Sequence, residues 1–319
     1  MLTTTLDHAG WCLLAFTDEL DTDVTPITVA DRPLVILRQD GQVRVADATC
    51  PHRGANLGYG GELVGDGVLR CPFHGRLVGV GCGGRHAYQV REYPTYVVGA
   101  AVFVLFDDAH EHGLHATLSP LLETHALVPG FVLPARVAAE YVIENVFDAE
   151  HFRAVHSVST TPQLTVDTGS SGELLVEGEL ANRLPNLWQE GGGDGQLVRT
   201  LVRAHVFSPT LVLTELVSGR NRYAVLTGAT PTPTGCVIRV AALVPRGADG
   251  GAADLQAAYG LLRDSRTAFE QDMVVWEHLV PDAPHRFDDR DSAVVRFRLF
   301  CNGFGVRPLT MALPGPESP

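Results

Sequence analysis

Two thiolates and two imidazoles occur in this sequence in matching short segments. Cys50-Pro51-His52-Arg53-Gly54 is followed by Cys71-Pro72-Phe73-His74-Gly75, with 18 residues between His52 and Cys71. Each half offers one cysteine and one histidine on a glycine-bearing turn, so the chemistry they suggest is metal binding. A tetrahedral zinc is one reading, but zinc fingers bring their cysteines as one pair and their histidines as another, on a helix. Here the ligand types are interleaved. A second constellation lies in Asn145-Val146-Phe147-Asp148-Ala149-Glu150-His151-Phe152-Arg153-Ala154-Val155-His156. Two histidines five apart stand about 140° from each other on a regular α-helix, too far for one metal. A π-type turn or a helix break is therefore predicted between them, which distinguishes the segment from zinc-protease helices, whose histidines are four apart.

The interleaved segments are the pattern of a Rieske [2Fe–2S] centre, with Cys50 and Cys71 on one iron and His52 and His74 on the other. Two neutral imidazoles in place of two thiolates remove negative charge from the cluster, so its reduction becomes easier. Respiratory-type Rieske proteins carry an extra cysteine in each loop, where this chain has Ala55 and Phe73. The chain therefore resembles the oxygenase and ferredoxin type.

From about Trp11 to about Phe304 the chain resembles the Rieske non-haem iron oxygenases, in their catalytic, alpha-type subunit. The resemblance rests on the two cluster segments and on an aspartate, two residues, a histidine, four residues and a histidine, matched by Asp148, His151 and His156. It implies that His151 and His156 bind a mononuclear iron(II), and that Asp148 bridges to His74 of a neighbouring subunit. Iron that activates dioxygen commonly takes a carboxylate as third ligand. Phe269-Glu270-Gln271-Asp272-Met273-Val274-Val275-Trp276-Glu277 resembles the family's late Gln-Asp motif, which makes Asp272 the match, with Glu270 and Glu277 as competitors. Many relatives have tryptophan where this chain has Arg76. Length and motif look most like the short ketosteroid-hydroxylase and demethylase group. The implied activity is that of a terminal oxygenase, oxidising a small organic substrate with dioxygen and with electrons from a ferredoxin or flavin reductase. Hydroxylation, dealkylation, desaturation and cyclisation all remain open, and the implied assembly is a head-to-tail homotrimer. The alternative is a Rieske electron carrier without the mononuclear iron.

These residues must be positioned by an α+β chain. Residues 1–110 read as an all-β Rieske domain, with strands at Pro33–Leu37 and Val43–Ala46 around an Asp40-Gly41 hairpin, and a last pair at Ala87–Val90 and Val97–Phe106. Residues 111–319 read as a catalytic domain with an antiparallel sheet and helices, of helix-grip type. Asp107–His125, with His110, His112, His115 and His125, reads as an exposed linker, and Ala135–His156 as helical. Strands are predicted at Leu174–Leu180, Val198–Phe207, Thr210–Val217, Tyr223–Thr230 and Cys236–Val244. A helix follows over Ala252–Leu279, with Leu255, Tyr259, Leu262, Ala268, Phe269, Met273 and Trp276 as its apolar face. The tail from about Ala312 should be frayed. Phe147, Val155, Leu187, Trp188 and Phe207 are candidate pocket walls.

Composition narrows the function classes. All 24 basic residues among the 319 are arginine, so chemistry that needs a lysine amine is excluded, including a pyridoxal Schiff base and the phosphate-loop lysine. A formal charge of −13 without a basic run argues against nucleic-acid binding. Pro94–Phe106, the longest charge-free apolar stretch, is too short to span a bilayer, and the N-terminus lacks a signal pattern, so a cytoplasmic location is expected. Six cysteines, Cys12, Cys50, Cys71, Cys82, Cys236 and Cys301, are too sparse for a disulfide framework. Within the cluster segment Arg53, Arg70, Arg76, Arg85 and Arg91 outnumber Glu62, Asp66 and Glu92, which offers a mildly basic docking face for an acidic redox partner. The glycine runs at 58–61 and 191–195 do not join a strand to a helix, so no nucleotide-cofactor fingerprint is present.

Overall fold

The computed structural model describes residues 8–65, 67–81, 86–182, 198–247, 253–280, 283–306 and 311–312. Short strands fill residues 11–105: β1 (Trp11–Phe16), β2 (Val24–Val29), β3 (Arg32–Gln39), β4 (Gln42–Asp47), β5 (Glu62–Gly65), β6 (Val68–Arg70), β7 (Leu77–Val80), β8 (Tyr88–Val90), β9 (Glu92–Tyr93), β10 (Thr95–Val98) and β11 (Ala101–Leu105). They form three small sheets, ordered β1-β11-β10, β2-β3-β4-β9 and β5-β6-β7-β8. The hairpin at Asp40-Gly41 is present, and both residues have positive φ, 50° and 78°, as a two-residue turn of that kind requires. The apolar run ending at Phe106 is not one strand but the hairpin β10–β11.

Every residue of β1 is buried, because the strand is covered on both faces. Side chains alternate across the strand up to a bulge between Leu13 and Ala15 that shifts the phase by one, so Trp11, Leu13 and Phe16 share one core with Phe103 and Leu105, while Cys12, Leu14 and Ala15 face Leu34, Ile36 and Val45. The first of these cores also contains Leu211, Leu213, Leu226 and Leu243 of a large second sheet. At this joint Gly228 leaves the room that Leu13 fills, since a β-carbon there would collide with the leucine.

The second sheet has seven antiparallel strands: β12 (His125–Ala135), β13 (Thr165–Thr168), β14 (Leu174–Asn182), β15 (Val198–Ser208), β16 (Leu211–Ser218), β17 (Asn221–Thr232) and β18 (Gly235–Pro245). The order is β12-β18-β17-β16-β15-β14-β13, so all strands after β12 form a simple meander. Five of them match the sequence expectation to within two residues at each end. Among the described residues five helices accompany the sheet: α1 (Leu114–Thr124), α2 (Ala139–Glu144), α3 (Ala149–Ala154), α4 (Leu255–Trp276) and α5 (Ser292–Asn302). The main core lies between the sheet and α2, α4 and α5.

Three expectations need correction. The stretch 107–125 is not an exposed linker. It contains α1, whose Leu114 and Leu118, one helical turn apart, are fully buried against Trp11 and Phe103, and His125 is a buried strand residue whose Nε2 meets the Arg222 carbonyl at 3.2 Å. The stretch 135–156 is not one helix but two short ones separated by the turn 145–148. On α4, Leu255 and Tyr259 are 48% and 64% exposed. The buried stripe runs through Ala258, Leu261, Leu262, Asp272 and Trp276, and Tyr259 lies more than a quarter-turn off that line.

Candidate metal centres

Cys50 follows the end of β4 by three residues and Cys71 follows β6 directly, each opening a tight turn. Both turns are built alike. Cys50 N donates to Ala55 O and Gly54 N to Cys50 O, and Cys71 N donates to Arg76 O and Gly75 N to Cys71 O, at 2.8 to 2.9 Å. Gly54 and Gly75 have φ of 73° and 65°, and a β-carbon on either would meet nothing, so backbone conformation alone demands glycine. This repeated geometry brings the two thiols together beneath the loops, where both are buried and interact directly without forming a disulfide. Burial, before any other influence, pushes the Cys50 thiol up. The His52 and His74 rings lie above, 4.8 Å apart and nearly perpendicular.

The residues fit a two-iron cluster. Nδ1 of His52 is buried with no hydrogen-bond partner among the described residues, as expected of a nitrogen that awaits a metal. Partial desolvation, then the charges of His74, Arg76 and Arg53, hold His52 below the ordinary imidazole range. The thiol end faces the core and the histidine end faces outward, with Phe73 beside His74 at 60% exposure. Of the arginines expected to form a basic face, Arg70 is paired with Glu62 at 2.9 Å and Arg91 stacks over Tyr93. Glu92 pairs with Arg44. Within the cluster loops themselves Arg53, which lies over the Phe73 ring, and Arg76 are exposed, while Arg85, Asp66 and Cys82 lie outside the described residues.

The second centre depends on the helix break. The side chain of Asp148 caps α3, its Oδ1 accepting from Glu150 N at 3.0 Å and His151 N at 3.2 Å. Helix α3 then runs only to Ala154, and His156 lies beyond its end, followed by Ser157 with a φ of 57°. The helix thus stops before the five-residue spacing can carry the histidines apart. Their rings stand 5.0 Å apart at 83°. Asp272 arrives from α4. It occupies the buried stripe of that helix and is 6% exposed, whereas Glu270 is exposed and paired with Arg266, and Glu277 lies exposed at the helix end. Single ligand atoms of His151, His156 and Asp272 all fall within 4.8 Å of one another. His156 Nε2 is 3.3 Å from Asp272 Oδ1.

Both imidazoles are held in one tautomer. Nδ1 of His151 lies 2.5 Å from the carbonyl oxygen of Asp148, and Nδ1 of His156 lies 2.9 Å from the side-chain oxygen of Gln271. Carbonyl oxygens only accept, so each Nδ1 carries the proton and each Nε2 keeps its lone pair for a metal. Burial is the largest influence on both rings. It leaves His151 below its ordinary pKa, while for His156 the adjacent Asp272 carboxylate and Gln271 outweigh it and the net shift is upward. The role of Gln271 went unnoticed in the sequence, although its place beside Asp272 was a usable signal.

A cavity of about 220 Å³ adjoins the triad. Its sheet wall is formed by Val176, Gly178 and Leu180 of β14, Val202 of β15, Val212, Thr214 and Leu216 of β16, and Val225 and Thr227 of β17. Its helical wall includes Val142, Asn145, Val146, Phe152, Ser265, Ala268 and Phe269. None of the expected pocket walls that fall within the described residues is among them. Phe147 is stacked on Phe297 in the core, Phe207 is buried in the joint with β1, Val155 does not line the cavity, and Leu187 and Trp188 lie outside the described residues. The other described cysteines take no part in either centre. Burial pushes Cys12 up to about 11 and Cys236 up to about 12, and raises Cys301 as well, so all three are inert thiols. No helix of the described residues is long and apolar enough to cross a membrane.

Comparison with known proteins agrees with this arrangement. Residues 10–97 match the family of the Rieske [2Fe-2S] domain. Residues 126–304, more than half of the chain, match the 3-ketosteroid 9alpha-hydroxylase C-terminal domain. Aminopyrrolnitrin oxygenase PrnD of Pseudomonas fluorescens is 26% identical over 94% of this chain and 92% of its own length. NdmB of Pseudomonas putida CBB5 shares the fold with a TM-score of 0.67, covering 93% of this chain and 90% of that one at 18% identity. Dicamba monooxygenase with non-heme iron and dicamba does so with a TM-score of 0.59, covering 93% and 97% at 18% identity. With the triad intact beside a Rieske domain, a bare electron carrier is not favoured. The chain belongs to the Rieske non-haem iron oxygenases, and it is a terminal oxygenase that uses a [2Fe–2S] cluster, a mononuclear iron and dioxygen, draws on an electron donor and acts on a small substrate.

Proposed function

We propose that Cys50, Cys71, His52 and His74 hold the [2Fe–2S] cluster, that His151, His156 and Asp272 hold the mononuclear iron, and that this centre oxidises a small apolar molecule seated in the adjoining cavity. The observation that carries the reading is the tautomer control at both histidines. Asp148 O and Gln271 Oε1 each accept a hydrogen bond from an Nδ1–H, which leaves both Nε2 lone pairs free, that of His156 at 3.3 Å from the Asp272 carboxylate. When bound, the two metal groups supply single electrons and the activation of dioxygen. The chain's own residues orient and seal: the aliphatic sheet wall excludes water, and α4 fixes the carboxylate by burying it in its apolar stripe.

Asp148 is proposed as the link to His74 of a neighbouring subunit in a homotrimer. It uses Oδ1 to cap α3, and no hydrogen bond occupies its second oxygen among the described residues, which suits a contact made outward. A division near residue 110, with the cluster in residues 1–110 and the iron in 111–319, accompanies this reading, as does a cytoplasmic setting. The exposed Arg53 and Arg76 beside the cluster histidines suit an acidic ferredoxin or a flavin reductase as donor. Iron analysis of anaerobically prepared protein tests the site: about three irons per chain are expected, falling to about two in His151→Ala with the cluster spectrum unchanged. Retention of the third iron in that variant would overturn the assignment.

A further inference from the structure

The cavity contains polar groups for which the metal centre has no use. Thr214 on β16 and Thr227 on β17 point from the same sheet face. Val212 stands opposite Thr227 and Thr214 opposite Val225, so the two threonines are diagonal neighbours with side chains about 7 Å apart at most. Neither hydroxyl has a hydrogen-bond partner among the described residues. Other buried threonines nearby are satisfied: Thr210 donates to Trp11 O at 3.1 Å and Thr230 to Leu13 O at 2.6 Å. Both hydroxyls open onto the cavity, where a valine would fill the same space and offer nothing to hydrogen-bond. The rest of this sheet wall is in fact valine, leucine and glycine. The two hydroxyls therefore face a partner that the chain does not provide.

The remaining lining limits what that partner is. Among the described residues of the cavity the ionisable groups are His151, His156 and Asp272, all directed at the metal position. Among the described lining a charged substrate group would find no counter-charge, which favours a neutral substrate. A cavity of about 220 Å³ exceeds the ~150 Å³ that accommodates one benzene and falls short of the ~300 Å³ where drug-sized sites begin, which leaves room for one or two fused rings.

We propose that Thr214 and Thr227 are the specificity-determining residues of this oxygenase: together they hydrogen-bond the single oxygen function of a neutral, one- or two-ring substrate, and so select the carbon that faces the triad. The proposal rests on the reading of this cavity as the substrate site. Three probes with one ring frame test it on the holoenzyme by equilibrium dialysis: 1-tetralone, the hydrocarbon tetralin and tetralin-1-carboxylate. The ketone should bind at least about 5-fold more tightly than the hydrocarbon, and the carboxylate should not compete. The double variant Thr214→Val, Thr227→Val should lose the ketone preference while tetralin affinity stays within about 2-fold. Thr227→Ser, which keeps a hydroxyl, should retain the preference and so separates hydrogen bonding from packing. An undiminished preference in the double variant, tighter binding of the carboxylate, or no binding of either neutral probe would overturn the proposal. The same dialysis on His151→Ala keeps the readings apart. Selectivity should survive there although turnover is absent, so a failed metal assignment and a failed threonine assignment give different results.

Discussion

The side-chain oxygen of Gln271 accepts a hydrogen bond from Nδ1–H of His156 at 2.9 Å, and the next residue of the same helix, Asp272, stands 3.3 Å from Nε2 of the same ring. Two consecutive residues of α4 thus grip both nitrogens of one imidazole, one as an orienting acceptor and one across the metal position. Successive helical residues point about 100° apart, which lets one of them lie buried at the triad while its neighbour reaches round the ring from the more exposed side.

Gln271→Ala should therefore weaken iron binding without removing it. Loss of an orienting partner behind a histidine ligand typically costs about 10- to 100-fold in metal affinity. Titration with a chelator, followed by iron analysis, should show earlier loss of the third iron in this variant, with the cluster absorbance unaffected.

Asp272 and its neighbouring acids should behave differently. Asp272→Ala is expected to abolish substrate-coupled oxygen uptake and bring iron down to about two per chain. Glu270→Ala removes only an exposed pair with Arg266 and should change stability by no more than about 0.5 kcal/mol, with turnover intact. Equal losses of activity in both variants would contradict the burial argument that separates them.

Asp148 has two separable duties, capping α3 and, by our proposal, passing electrons between subunits. Asn caps helices about as well as Asp, so Asp148→Asn should fold and load both metal centres, whereas Asp148→Ala should lose roughly 1 kcal/mol of stability. Stopped-flow measurement of cluster reoxidation in the presence of substrate and dioxygen then reports on the bridge alone. Slow reoxidation in the Asn variant is the expected result, and a wild-type rate would leave only the capping role.

Glu140 is a buried carboxylate on α2, and burial, then the nearby Glu144, raises its pKa despite Arg298. Because the folded pKa exceeds the unfolded one, the folded state holds this proton longer. The associated stability is full below the unfolded value of about 4.5 and declines as pH rises through the folded value. Glu140→Gln should accordingly melt at a higher temperature than the wild type at pH 7 to 8, with the gap closing near pH 4.5. Thermal denaturation followed by circular dichroism across that range checks the sign.

Local chemistry was the most legible part of this chain. Cysteine and histidine on paired glycine turns declare a mixed-ligand cluster because the glycine φ and the ligand spacing are both local. Five strands of the large sheet were visible for a similar reason, since β-branched runs bounded by turns need no knowledge of their partners. The break between His151 and His156 could be demanded from helical geometry alone. Less legible were α1, where Leu114 and Leu118 were obscured by surrounding histidines, and β12, whose prolines and glycine gave no strand signal before its pairing with β18 is known.

The candidates for the redox chemistry follow from residue type and spacing, because thiolate, imidazole and carboxylate are properties of side chains. Which carboxylate joins the two histidines was decided by tertiary structure, because burial belongs to a helix face against a sheet, and Glu270 and Asp272 differ only in the direction they point from α4. The cavity was decided in the same way. Val176, Val202, Thr214 and Val225 come from four different strands, and only the register between those strands sets them on one wall beside the metal centre.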